Sequence, residues 1–198
     1  MTSPYAGVPT ENWLAITQRL VDEHPLDTDE IVDVAQGSWN AIFDSSIGPK
    51  GFMIGVHIFP KPQIMGFLLH ELIPLEFASR YPSEWRAETS ADDKDLVYVP
   101  DDAKSVEIKT SSHASQIFAN RSYAQAATGA AKKGKSGFYI AINFRKFGSG
   151  SARPTIRRVR FGWLDHSDWV GQTSSTGQQA RLPPEVDRLK LLTLFDGE

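Results

Sequence analysis

At 198 residues, with 40% hydrophobic and 23% charged residues and a formal net charge of −3, the sequence has the make-up of a globular protein able to bury a core without covalent staples. It contains no cysteine, which excludes disulfides, thiol catalysis and cysteine-ligated zinc. Apolar stretches are broken by Pro, Gly or charge well short of a membrane span, and the N-terminus lacks a basic region followed by an apolar run; the expectation is one soluble, cytoplasmic domain with no membrane partner.

The charge is unevenly spread. Residues 1–107 carry 18 acidic and 7 basic side chains, whereas residues 108–164 carry 11 basic ones and no acid. Such an acid-free run of 57 residues suits a surface that meets phosphates, although a basic face without a polyanion partner has the same composition.

In chain order, residues 10–24 read as an amphipathic helix capped by Thr10, with Trp13, Ile16 and Leu20 on its apolar stripe and Pro25 ending it. A second helix is expected over 28–43, capped by Thr28, with acidic residues in its first turn. A short strand is expected over 52–59, framed by Gly and Pro. Residues 65–78 read as a buried helix kinked or broken at Pro74. Its His70-Glu71 pair does not complete a zinc-protease helix, because position 74 is not histidine. Glu76 on the same helix is either a solvated carboxylate or an acidic group approaching a site built farther along the chain.

Residues 85–89, 95–99 and 105–110 read as a three-stranded meander whose turns hold Asp92, Asp93, Asp101 and Asp102, residues that favour turn backbone. Alternate strand residues face the same side, so Glu107 and Lys109 project together while Val106 and Ile108 enter a core. Asp95 comes near that charged face if the strands pair. It is preferred to Asp93 because it leads directly into Leu-Val-Tyr-Val, which a sheet holds rigidly. Two carboxylates and one ammonium converging at a sheet edge are what Mg²⁺-dependent phosphodiester chemistry needs.

Beyond Lys109, Ser111 or Ser112 is expected to cap a helix running to about residue 128, with Ile117, Arg121 and Gln125 on one face. Residues 129–136 match the phosphate-loop pattern formally, but they follow a helix and open a strand, the reverse of what that loop requires. Lys132, Lys133 and Lys135 read instead as a basic loop contacting a nucleic-acid backbone. Residues 138–144 read as a central strand and 156–164 as its antiparallel neighbour, crowded with Arg157, Arg158 and Arg160. Residues 165–169 look like a helix start. The polar loop 171–181 offers Gln178, Gln179 and Arg181, residue types that read adenine and guanine edges bidentately, or it is an ordinary flexible loop. Residues 188–194 form a short apolar strand or helix.

Asp95, eleven intervening residues and then Glu107-Ile108-Lys109 resemble the PD-(D/E)xK nuclease signature, with Lys94 where the proline would stand. More broadly, PQIMGFLLHELIPLEF, DLVYVPDDAKSVEIKTSSHASQIFANRSYAQ and DHSDWVGQTSSTGQQA are similar to segments of small bacterial type II restriction endonucleases of the ScaI kind, across most of residues 50–180. The resemblance implies an α/β fold, a mixed sheet flanked by helices. It implies one nuclease domain over 1–198, with a helical N-terminal part to about 48 and a catalytic core from about 50. On that basis Asp95, Glu107 and the Ile108 carbonyl would hold Mg²⁺, for which Mn²⁺ can substitute. Lys109 would orient the attacking water and offset charge on the phosphorane, while Glu76 and Gln125 would tune the metal or position phosphate and water. The implied activity is hydrolysis of double-stranded DNA at a short palindromic site, leaving 5′-phosphate and 3′-hydroxyl ends. The implied setting is a homodimer in a bacterial restriction-modification system. A repair or junction-resolving nuclease of the same fold, or a DNA-binding protein that cuts nothing, stays open as an alternative.

Overall fold

The computed structural model describes residues 2–124, 134–148, 153–174 and 176–197. A single 3-10 turn leads into helix α1 (Trp13–Asp22), followed by α2 (Thr28–Asp44), a small hairpin of β1 (Ser46–Ile47) and β2 (Phe52–Met53), and α3 (Pro62–Arg80). Strands β3 (Trp85–Ala87), β4 (Leu96–Tyr98) and β5 (Val106–Ser111) form the antiparallel meander expected from the sequence. The chain continues through β6 (Phe118–Asn120), β7 (Gly137–Phe144), β8 (Ile156–Leu164), β9 (Val170–Gly171), β10 (Gln179–Arg181), α4 (Pro184–Lys190) and β11 (Leu191–Asp196). Six strands make one mixed sheet in the order β11-β8-β7-β5-β4-β3, and β6, β10 and β9 make a second, three-stranded one. Within the larger sheet β5 and β7 run parallel, and each of the other neighbouring pairs is antiparallel.

The alternation read from the sequence divides this sheet into two faces. Val106 and Ile108 of β5 join Ile140 and Ile142 of β7 and Val159 and Phe161 of β8 in a core that packs on α2 and α3. The opposite face places Tyr139 and Ala141 of β7 against Ile117, Ala119, Trp169 and Ala180 around the smaller sheet. β7 is buried along its whole length, as a strand covered on both faces must be.

Several expected elements differ. α1 begins at Trp13 after the 3-10 turn, so Thr10 is not its cap. Asp27, not Thr28, caps α2: its carboxylate accepts from the amides of Asp29 at 2.9 Å and Glu30 at 3.0 Å. The strand over 52–59 shrinks to Phe52–Met53, because Gly55 takes a positive φ of 80° and the Ile58 amide turns back to the Met53 carbonyl at 3.1 Å. α3 runs through Pro74 without ending. Residues 165–169 hold only one 3-10 turn, and the tail is a helix and then a strand.

The helix expected from Ser111 to residue 128 is absent over its described part. Here local polar groups take the backbone that a helix would need. Ser111 Oγ accepts from the His113 amide at 3.1 Å, and His113 Nδ1 accepts from the amides of Ser115 and Gln116 at 3.2 and 3.0 Å. The Asn143 side chain donates to the carbonyls of His113 and Gln116 at 2.9 and 3.0 Å. β6 follows, paired with β10, and then a 3-10 turn over Arg121–Ala124.

His24 lies in the core beneath the sheet, 4.3 Å from the Phe138 ring and 4.9 Å from Phe161 between centroids. Its Nδ1 accepts from the Leu26 amide at 3.1 Å, so Nε2 carries the proton and donates to the Lys104 carbonyl at 2.9 Å. Charging the ring would put a proton on the accepting nitrogen, and burial accordingly pushes the imidazole from 6.5 down to about 4. The folded chain then resists a proton that the unfolded chain binds, so this contribution is full above pH 6.5 and is lost as pH falls toward 4. We predict that the stability advantage of wild type over His24→Gln, from urea melts, shrinks by about 3 kcal/mol between pH 7 and pH 4. An advantage constant with pH contradicts this assignment.

Candidate active site

The β4–β5 pairing brings Asp95 to the strand that carries Glu107. Leu96 and Val106 are register partners, and Asp95 Oδ2 accepts from the Ile108 amide at 2.6 Å. This bond fixes one carboxylate to the backbone beside the other. His70 of α3 reaches the same oxygen, with Nδ1 3.6 Å away. α3 approaches so closely because Gly66, one turn earlier, has no side chain: a Cβ there would lie 2.6 Å from Thr110 Oγ1 of β5.

Glu107 is 2% exposed, on the face away from α2 and α3, and pairs across the ladder with Tyr139. A carboxylate buried this deeply is costly unless it is paired and hydrogen-bonded. Lys109 Nζ donates to Glu107 Oε1 at 2.6 Å and to the Ile108 carbonyl at 3.2 Å. The Tyr123 hydroxyl donates to the same Oε1 at 2.5 Å. On the other side Lys94 Nζ stands 3.8 Å from Oε2 and 5.3 Å from the Tyr139 ring centroid. Burial, with the Glu107 charge second, holds the Tyr123 phenol far above its ordinary range, so it stays a neutral donor. Tyr139 is shifted in the same direction for the same reasons.

The donors gathered here are two carboxylates and a backbone carbonyl, an all-oxygen set suited to a hard divalent cation that keeps waters and takes substrate phosphate. Among the described residues, no group of three or more His, Asp or Glu side chains is placed to hold a metal. Two of the three oxygen donors already share one positive charge, the Lys109 ammonium. The residues therefore fit a magnesium-type ion in donor chemistry. A cavity of about 240 Å³ opens beside them, lined by His70, Lys109, Asn120, Tyr123 and Gln179, and it shares His70 and Gln179 with a hollow of about 810 Å³ that reaches Glu71, Glu88 and Lys146.

The structure thus groups Asp95, Glu107, Ile108 and Lys109, with Gln179 at the cavity wall and Lys135 5.1 Å from the Tyr123 ring. Gln125, Lys132 and Lys133 lie outside the described residues. Glu76 stands elsewhere, in a surface network where Arg80 Nε donates to it at 3.0 Å and also pairs with Glu30 and Asp33. It follows His70 by six residues, which on a helix turns it about a third of a turn away. Arg121 donates to the carbonyls of Ser174 and Gly177, pinning the polar loop, and its amide donates to the Gln178 carbonyl at 2.7 Å. Gln179 also lines, with Arg181 and that loop, an adjoining hollow of about 630 Å³.

β8 is an interior strand, and its arginines are largely bound within the fold. Arg158 pairs with Asp196 at 2.6 Å, and the buried Arg160 pairs with Asp187 and Asn143; Arg157 is half-buried beside them. Three contributors are not signalled by the sequence: His70 reads there only as part of an incomplete zinc helix, Lys94 only as the residue in place of a proline, and Tyr123 falls in a segment with a helical pattern.

Two comparisons bear on this arrangement. The chain matches the ScaI restriction endonuclease family over residues 3–195. It is also 51% identical over 196 residues to the type II restriction enzyme ScaI of Streptomyces caespitosus, covering 98% of this chain and 86% of that one. Because Glu76 belongs to an exposed ion-pair network, Glu76→Gln should leave the rate of DNA cleavage unchanged and alter stability by less than about 1 kcal/mol. Loss of cleavage with unchanged stability would return Glu76 to the site.

Proposed function

The chain belongs to the ScaI restriction endonuclease family, and on that premise we propose that it cuts both strands of DNA at a short palindromic sequence with Mg²⁺, or Mn²⁺ in its place, held by Asp95, Glu107 and the Ile108 carbonyl. It is a type II, site-specific deoxyribonuclease. The observation that supports the detailed reading is the Lys109 ammonium lying between Glu107 Oε1, at 2.6 Å, and the Ile108 carbonyl, at 3.2 Å, on a strand to which Asp95 is locked. This arrangement supports reading Asp95, Glu107 and Lys109 as a PD-(D/E)xK triad, two of its members on β5 and the third bonded to that strand's backbone.

When bound, the cation polarises the phosphate and makes water a stronger acid. Lys109 orients the attacking water and offers hydrogen bonds to the oxygens that gain charge at phosphorus. The water oxygen bonds to phosphorus opposite the departing 3′-oxygen, the P–O3′ bond breaks, and the proton given up by the water ends on the 3′-oxygen, which leaves as a hydroxyl. The ends are a 5′-phosphate and a 3′-hydroxyl. Asp95 and Glu107 keep their places because the Ile108 amide holds the first and the Tyr123 and Lys109 donors hold the second.

Lys135 and the basic segment meet the DNA backbone, and Gln178, Gln179 and Arg181 reach base edges. Each chain supplies one active site, so cutting both strands of a palindrome requires a homodimer whose two-fold axis matches that of the DNA. The setting is the cytoplasm of a bacterium.

Plasmid DNA incubated with the protein should fall into discrete fragments with Mg²⁺ and stay intact with EDTA. Asp95→Asn and Lys109→Ala should each abolish cleavage while retaining site-specific DNA binding. Near wild-type cutting by either variant would overturn the site assignment.

A further inference from the structure

Glu107 Oε1 receives two donors, the Lys109 ammonium at 2.6 Å and the Tyr123 phenol at 2.5 Å. The lysine has a second duty in the reaction proposed above, since it must turn toward water and phosphate. A carboxylate held by Lys109 alone would lose its anchor whenever the ammonium turned to substrate. The phenol has no such conflict. Its ring packs edge-on to Trp169, with centroids 5.7 Å apart.

The chain leading into this ring is held at two points. Arg121, two residues earlier, is bonded to the carbonyls of Ser174 and Gly177, and Lys135 Nζ donates to the Ser122 carbonyl. The ring also gathers positive charge: Lys109 Nζ lies 5.0 Å and Lys135 Nζ 5.1 Å from its centroid, within range of attraction to an aromatic face.

We propose that Tyr123 is a positioning residue of the active site: its hydroxyl holds Glu107 in the metal-binding orientation and so releases Lys109 for the substrate, while its ring seats the lysine between these tasks. This inference rests on the assignment of Glu107 and Lys109 given above. The ring's proximity to Lys135 also places it between the metal-binding carboxylate and a cation proposed to meet DNA.

Tyr123→Phe tests this, because it removes one hydroxyl and keeps the ring against Trp169. Mg²⁺ titrated calorimetrically into the variant should bind about tenfold more weakly than into wild type, and single-turnover plasmid cleavage should slow by about 10- to 100-fold. DNA affinity in EDTA should match wild type, and the melting temperature should fall by a few degrees at most, as the loss of one hydrogen bond allows. An unchanged Mg²⁺ affinity overturns the proposal whether or not the rate falls, since a ring that only packs does not act on the metal site. A lowered melting temperature with lost DNA binding overturns it too, by showing a structural role. A neutral Tyr123→Phe beside inactive Asp95→Asn and Lys109→Ala variants removes this inference alone; cleavage by those two variants removes the site assignment beneath it.

Discussion

The structure depends on keeping one carboxylate, Glu107, charged and buried in the middle of a sheet. Removing such a group from water costs several kcal/mol, and the attraction of neighbouring charges offsets this only when the geometry is good and the lone pairs are filled. Here the two sides of the carboxylate are served by different elements. Lys109 comes from the same strand, two residues on; Tyr123 comes from the connection that follows, and Lys94 from the approach to β4. The parallel pairing of β5 with β7 makes this possible. Parallel neighbours need a crossover, and the connection after β5 lays β6 and the Arg121–Ala124 turn over the face that Glu107 occupies. The sheet topology and the chemistry of the site are thus one arrangement.

Much of this was legible in the residues. Strand alternation alone separates Glu107 and Lys109 from Val106 and Ile108, and the two faces of β5 obey it. Asp95 was separable from Asp93 by the apolar run that follows it. The structure gives Asp93 other work: Arg86 holds its carboxyl well below the usual range at 2.8 Å, helped by the Thr89 amide. The segment similarity carried the rest of the identification.

What was not legible depends on partners far away in sequence. The residues after Lys109 have a reasonable helical pattern, yet Asn143, from the neighbouring strand β7, binds the carbonyls of His113 and Gln116. No local reading of 111–120 contains that information. The acid-free segment likewise looks more cationic along the chain than it is in space. Acids from the C-terminal part meet its arginines: Asp196 at Arg158 and Asp187 at Arg160. Arg121 is spent on backbone carbonyls. The charge that faces the cavities is accordingly a smaller set, with Lys109 at the inner one and Lys146 at the outer.

The most direct measurement is single-turnover plasmid cleavage by Glu107→Gln in Mg²⁺, with folding followed by circular dichroism. The amide keeps the shape of the side chain but removes its charge and turns one acceptor oxygen into a donor, leaving Lys109 and Lys94 without the carboxylate they face. The variant should fold, still bind its DNA site and cut neither strand. Cleavage near the wild-type rate by this variant would contradict the assignment of Glu107.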